Sequence, residues 1–118
     1  MDSILTSIKK LLGITEEYTH FDADIIAHIN SVFADLAQMG VGPSKGFSIS
    51  DASAIWDDFI SDSLLLQSVK SYMNLRVKIL FDPDSMGSST LAAYERQIAQ
   101  WECRLNLAAE SESTDETT

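Results

Sequence analysis

Basic residues, cysteine, proline and long apolar runs are all scarce in this chain of 118 residues. Lysine and arginine number eight against eighteen acidic residues, so the formal net charge is −10 at neutral pH. A surface this negative repels phosphate backbones, which argues against tight binding to nucleic acid. No apolar run approaches the roughly 20 residues that cross a bilayer, so we expect no membrane-spanning helix.

Cysteine occurs once, at Cys103, which excludes a disulfide within the chain and favours a reducing compartment. We interpret Cys103 as a small helix residue rather than a nucleophile. The N-terminal stretch MDSILTSIKKLLG is unlike a signal peptide because it carries an acid and two lysines, so we expect a soluble, intracellular protein. Two prolines, five glycines and 45% hydrophobic residues indicate one globular, helical domain.

Hydrophobic spacing predicts helical segments along most of the chain. In chain order they are residues 3–12 with Gly13 as the stop, a helix from its N-cap Asp22 to Gly40, residues 51–60, residues 62–82, and residues 89–108 capped by Ser88 or Ser89. We therefore predict an all-α fold, a small helical bundle of about four to five helices with a long central helix and a long C-terminal helix.

The apolar faces of these helices supply the predicted core anchors Phe33, Trp56, Tyr72 and Trp101. The fourth helix leaves little polar face, so we expect it to be covered on more than one side, either within the domain or by a second subunit. In the first helix, Lys9 and Lys10 are expected on the polar side.

The stretch QMGVGPSKGF, residues 38–47, raises the question of a phosphate-binding loop because it combines glycines with Lys45. Such a loop needs GxxxxGK[ST] between a strand and a helix, whereas these glycines follow a helix and Lys45 precedes Gly46. We interpret Gly40 as a left-handed helix stop and GFSIS as a short extended piece. Lys45 and Phe47 are candidate partner contacts.

Candidate catalytic and metal-binding residues do not form a convincing set. Asp57 and Asp58 are adjacent and point in different directions, so a solvated acidic face explains them better than paired catalytic carboxylates. His20, His28 and the nearby aspartates lack a matching ligand pair elsewhere. We expect no catalytic residue, no metal and no cofactor, and hence no enzyme.

After Ala109 the sequence ESESTDETT contains acids and no apolar residue. We predict a helical domain over residues 1–109 and a disordered acidic tail over residues 110–118. The last apolar helix turn before this tail gives three further candidate partner contacts, Arg104, Asn106 and Leu107.

Several stretches together resemble a known family: FDADIIAHINSVFADLAQMGVGP, GFSI, Trp56, VKSYMNLRVKILFDP and YERQIAQWECRLN. In this order, from about residue 3 to 107, they resemble the head–tail connector (adaptor) proteins of long-tailed bacteriophages and prophages of Gram-positive bacteria. The resemblance implies a structural virion protein that forms a homo-oligomeric ring beneath the portal protein and extends the DNA channel. The implied partners are the portal and a tail-side connector or stopper protein, with DNA as unbound cargo and no membrane. The implied location is the virion, preceded by the host cytoplasm during assembly.

Two other classes remain open at the level of sequence. A small-terminase-like packaging protein would need a basic recognition face, which the net charge opposes. An antitoxin-like regulatory protein would use the acidic tail and would be encoded beside a toxin, whereas a connector would be encoded near portal and capsid proteins.

Overall fold

The computed structural model describes residues 3–43, 45–82, 84 and 86–116, with side chains described as far as residue 109. Within this part of the chain there are five helices and no strand. They are α1 (Ile4–Leu11), α2 (Asp22–Gln38), α3 (Trp56–Phe59), α4 (Ser63–Phe81) and α5 (Ser88–Glu116). The predicted all-α bundle with long fourth and C-terminal helices is therefore confirmed.

Helix α4 lies at the centre of the bundle and packs against α2, α5 and α1. Its inward side chains are fully buried at Val69, Tyr72, Met73 and Val77. Helix α5 runs antiparallel to α4, since Tyr72 contacts Glu102 whereas Lys78 lies near Tyr94. Neighbours on several sides within one domain thus explain most of the apolar surface of α4, but not Leu64, which is 82% exposed.

Helix α1 is defined by a cap at each end. The Ser3 hydroxyl oxygen accepts a hydrogen bond from the Thr6 N–H at 3.2 Å, which satisfies one free donor of the first turn. At the other end Gly13 has a φ of +78°, and the N–H of Ile14 donates to the Lys9 carbonyl at 2.9 Å. This is a Schellman ending, so Gly13 stops α1 as the sequence indicates.

Lys9 is buried, so its predicted place on the polar side of α1 is wrong. Its side chain is 3% exposed, its Nζ donates to the Glu16 carbonyl at 2.9 Å, and Nζ lies 2.8 Å from Oδ1 of Asp22. Asp22 is in turn not the N-cap of α2: the cap is Phe21, which makes no side-chain cap hydrogen bond. The long lysine stem crosses the α1–α2 loop, and its charge attracts the carboxylate that would otherwise cap the helix.

The glycines in the loop after α2 allow backbone conformations that end the helix and turn the chain. Gly40 has a φ of +84°, and the Val41 N–H donates to the Leu36 carbonyl at 2.9 Å, a second Schellman ending. Gly42 and Gly46 also have positive φ. Farther along, the Asn30 side chain donates to the Ile49 carbonyl at 2.9 Å and accepts from the Ile49 N–H at 2.7 Å. These bonds hold the segment that the sequence predicts to be extended.

The third helix is much shorter than predicted. The Asp51 carboxylate accepts the Ser53 N–H at 2.8 Å, which folds residues 51–53 into a turn. Ile55 forms an isolated antiparallel bridge with Ser3 and is extended. Only Trp56–Phe59 is helical. Its two end residues, Trp56 and Phe59, are buried, whereas Ile55 is only partly buried.

Helix α5 begins at Ser88 and extends to Glu116, so the predicted end near residue 108 is too early. Hydrophobic periodicity cannot detect a helical turn that has no apolar face, which is the case after Ala109. The side chains of residues 110–118, and residues 117–118 entirely, lie outside the described part of the chain. The predicted disorder of this tail therefore stays a prediction.

Candidate interaction surfaces

A chain of polar contacts ties the three long helices together. The Arg76 guanidinium of α4 donates to the Asp35 carboxylate of α2 at 2.7 Å and to the Tyr72 hydroxyl at 2.6 Å. The Tyr72 hydroxyl in turn donates to the Glu102 carboxylate of α5 at 2.8 Å. Tyr72 is 0% exposed, so these bonds form at the edge of the core and fix how α5 sits on α4.

Burial and the neighbouring Glu102 carboxylate raise the pKa of Tyr72 to about 12. Burial by itself would lower the pKa of Arg76, but the hydrogen bonds to Asp35 and Tyr72 outweigh it and the pKa is raised. Both groups therefore keep their protons at neutral pH, the phenol as a donor and the guanidinium as a cation. The hydrogen bonds of Tyr72 and Arg76 therefore connect α4 to α2 and α5.

The predicted core anchors occupy three buried positions and one that is partly exposed. Phe33 and Tyr72 are 0% exposed and Trp56 is 3% exposed. Trp101 is half-buried, and the Arg104 guanidinium lies over its ring at 4.9 Å from the centroid. Trp101 thus packs against the core with one face and supports an exposed cation with the other.

Arg104 and Leu107, three residues apart on α5, share a surface that we call the α5 outer face, whereas Asn106 lies beside Glu102 on the side of α5 that faces α2. The side chains of Arg104, Asn106 and Leu107 are all exposed, and Leu107 is 60% exposed. Leu105, between them, is 1% exposed and anchors this turn in the core. A rigid, anchored turn therefore presents one cation, one amide and one apolar side chain to the solvent.

The candidate contacts in the loop differ in accessibility. Lys45 is exposed. The ring of Phe47 is half-buried and packs edge-on against Phe33, with a centroid distance of 5.0 Å, and against Phe59 at 5.3 Å. Lys45 and Phe47 lie far along the chain from the α5 outer face, and no described contact joins the two surfaces.

An apolar cleft that sequence reasoning missed lies between α1, α4 and α5. It has a volume of about 170 Å³, and its main lining residues are Ile8, Leu11, Leu12, Leu75, Lys78 and Tyr94. Leu11 is 55% exposed at its edge. The sequence contains the apolar positions of α1 but not the angle at which α1 crosses α4, which determines whether a cleft remains.

Leu64 is a second feature that the sequence analysis missed. It is 82% exposed, whereas Leu66 of the same run is 7% exposed. Three consecutive leucines on a helix point in directions about 100° apart, so they cannot all face one core. That argument could have identified an exposed leucine in this run from the sequence.

In the part of the chain that the structure describes, no group of three or more histidine, cysteine, aspartate or glutamate side chains is arranged to hold a metal ion. Asp22, one of the residues considered for a metal, is instead paired with Lys9. None of the described helices is long and apolar enough to cross a membrane.

Comparison with protein families gives a match that covers nearly the whole chain. The family model described as phage connector protein matches residues 4–112. The chain belongs to the phage connector protein family. No curated protein and no solved structure matches it.

Family membership confirms the head–tail connector resemblance drawn from the ordered stretches, while the restriction to phages of Gram-positive bacteria stays a prediction. A phage connector is a component of the virion and has assembly partners there. Proteins of this kind are structural and generally non-enzymatic. The match favours the connector over the packaging and antitoxin-like alternatives.

Proposed function

We propose that this protein forms a homo-oligomeric ring beneath the portal of a long-tailed phage of a Gram-positive host, continues the DNA channel, and receives the tail-side connector or stopper protein. Membership of the connector family supports the general role. Our proposal adds to this general role the portal and the tail-side protein as partners, and a surface of this chain that contacts the portal.

The net charge of −10 suits a channel component. DNA that passes through a ring must slide without adhering, and negatively charged walls repel its phosphates at short range. DNA is then cargo rather than a ligand. The same charge opposes non-specific association of free subunits, so a template such as the portal helps to bring them together.

The α5 outer face is the surface that we assign to the portal. The main support for this assignment is the difference in exposure within one helical turn. Leu105 is 1% exposed, whereas Leu107 is 60% exposed. Because Leu107 is 60% exposed, it adds little to the core of the domain, whereas a partner would bury it. Arg104, held over Trp101, is placed beside it with reduced freedom, which lowers the entropy lost on binding.

The tail of residues 110–118 is a further part of this proposal. We infer that residues 104–118 dock together on the portal, with the α5 outer face contributing more than the acidic tip. A cut after Cys103 is a poor test because it would remove the buried Leu105. A cut after Ala109 removes only the tail, and we expect it to leave the thermal unfolding of the monomer unchanged.

Co-assembly with the portal encoded by the same phage tests the proposal directly. We expect the wild-type protein to bind purified portal rings, as measured by sedimentation and electron microscopy. Leu107→Asp and Arg104→Glu should each weaken binding by roughly tenfold, the size expected for loss of a good interface contact. Arg96→Glu is the matched control, because Arg96 is also exposed on α5 but lies eight residues before Arg104, about 12 Å along the helix.

Two results would contradict the proposal. If the wild-type protein does not bind the portal at any salt concentration, the portal is not the partner of this protein. If Arg96→Glu weakens binding as much as Arg104→Glu, the outer face is not the contact and only the helix charge matters.

A further inference from the structure

Leu64, an exposed apolar side chain, and the apolar cleft lie toward opposite ends of α4. We propose that Leu64 of one subunit inserts into the apolar cleft of the next, so that a second copy of this chain is the occupant of the cleft. This inference rests on the proposed ring and identifies the residues that join its subunits.

Leu64 is presented as a rigid projection. It is 82% exposed at the second position of α4, directly after the N-cap Asp62. The Asp62 carboxylate accepts the N–H groups of Leu64 at 3.0 Å and Leu65 at 3.2 Å. The backbone under Leu64 is thus fixed, and no described core contact accounts for an apolar side chain there.

The cleft has the volume and lining that a leucine needs. A cavity of about 170 Å³ with mostly apolar walls, in which Asn74 and Lys78 are the polar exceptions, accommodates one branched aliphatic side chain with some room to adjust. Leu11, which is 55% exposed, and Tyr94 border it and would be covered by the inserted group. The apolar walls of such a cleft are removed from water most favourably by another apolar side chain.

The charges beside the cleft and beside Leu64 also favour a second copy of this chain as the partner. Lys78 is the one charged residue among those that line the cleft. The N-cap Asp62, two residues before Leu64, carries an exposed carboxylate. Insertion of Leu64 would bring this acid near Lys78, so a chain that otherwise repels its own copies has a local attraction at this contact.

The separation of the two features explains why they make a ring rather than a dimer. Position 64 and position 78 are about 21 Å apart along α4 at a rise of 1.5 Å per residue. A contact between two different surfaces of identical chains is heterologous, and it leaves one of each surface free after every addition. Such contacts form a closed ring when the rotation from one subunit to the next is 360° divided by a whole number, without translation along the axis.

Cysteine cross-linking tests this contact in the full chain. In a Cys103→Ser background, Leu64→Cys and Leu11→Cys placed in the same chain should form intermolecular disulfides under mild oxidation, because the inserted residue and the cleft edge come within disulfide reach. The geometry predicts a ladder of oligomers from the double variant. A mixture of the two single variants should stop at dimers joined between positions 64 and 11.

The control pair is Leu107→Cys with Leu11→Cys, since Leu107 is also strongly exposed but lies on the α5 outer face. A control pair that cross-links as efficiently as the test pair would overturn the proposal. So would cross-linking of position 64 to the portal instead of to position 11 of another copy.

Portal assembly then separates this inference from the proposed function. Leu64→Asp should still bind the portal through the α5 outer face, but subunit–subunit contact in the assembly should fall at least tenfold. If Leu64→Asp forms complete rings on the portal, the inference is wrong and the proposed function stands. If the wild type ignores the portal yet the 64–11 ladder forms, the inference stands and the portal assignment fails.

Discussion

The ring of Phe59 occupies the place where a side chain at Gly42 would begin. A Cβ built on Gly42 would lie 2.7 Å from Cζ of Phe59, and Gly42 has a φ of +93°. Phe59 also packs at a centroid distance of 4.7 Å from Phe33, so its ring cannot easily move away. Two independent constraints, one of backbone conformation and one of space, therefore require glycine here.

Gly42→Ala should destabilise the protein by about 2–4 kcal/mol, the sum of left-handed strain and overpacking against Phe59. Gly46→Ala is the matched control, because Gly46 has a φ of +84° but nothing within 4 Å of its added Cβ. The control should lose about 1 kcal/mol from strain alone. Urea unfolding followed by tryptophan fluorescence measures both, and equal losses would show that the Phe59 contact relaxes freely.

Gly40→Ala tests the end of α2. Its Cβ would lie 3.5 Å from Cβ of Ala109, an ordinary contact, so the cost comes from the φ of +84° in the Schellman ending. We expect a loss of roughly 1 kcal/mol or more in unfolding free energy.

A Lys45→Ala variant should unfold like the wild type because Lys45 is exposed. ATP binding that depended on Lys45 would contradict our interpretation of this loop.

Lys9→Met should be far more damaging than Lys10→Met. Lys9 is buried against Asp22 and the Glu16 carbonyl, whereas Lys10 is exposed on the same helix. Removing one partner of a buried ion pair costs about 3–5 kcal/mol, and we expect about 2–3 here because Asp22 keeps some contact with solvent. Adding Asp22→Asn to Lys9→Met should recover part of the loss, and strict additivity in this double-mutant cycle would refute a direct pair.

Sequence reasoning predicted the helices from periodicity and their ends from Gly13 and Gly40, because these depend on local physics. It failed where a tertiary contact changes a local preference. Asp22 has the chemistry of an N-cap, yet its carboxylate pairs with Lys9, which comes from another helix. Trp56 was correctly placed in the core, but the helix around it is shorter because residues 51–55 form a turn and a bridge to Ser3.

The candidate surface was predictable only in part, for the same reason. Exposure of Leu107 beside the buried Leu105 follows from helical spacing at the end of the apolar seam. The apolar cleft does not, because it depends on how three helices cross. Leu64 falls between these cases, since the leucine run indicates that one residue is exposed but not which one.

Tyr72→Phe tests the polar connection between α4 and α5 through its pH dependence. The pKa of Tyr72 is raised to about 12 in the folded protein, whereas an unfolded tyrosine titrates near 10. Between these values the unfolded chain loses the proton and the native state keeps it, so unfolding becomes easier as pH rises. The contribution of Tyr72 is full below pH ~10 and declines above it by at most about 1.4 kcal/mol per pH unit.

Phenylalanine at position 72 keeps the ring and removes this titration. At pH 8 the variant should be about 1–3 kcal/mol less stable than the wild type, because the Glu102 carboxylate and the Arg76 guanidinium lose their shared partner. Other tyrosines and lysines are common to both proteins, so their titration cancels in the difference. Urea unfolding from pH 8 to 11.5 should show this difference shrinking above pH ~10; parallel stability curves would mean that burial and Glu102 do not raise the pKa of Tyr72 in solution.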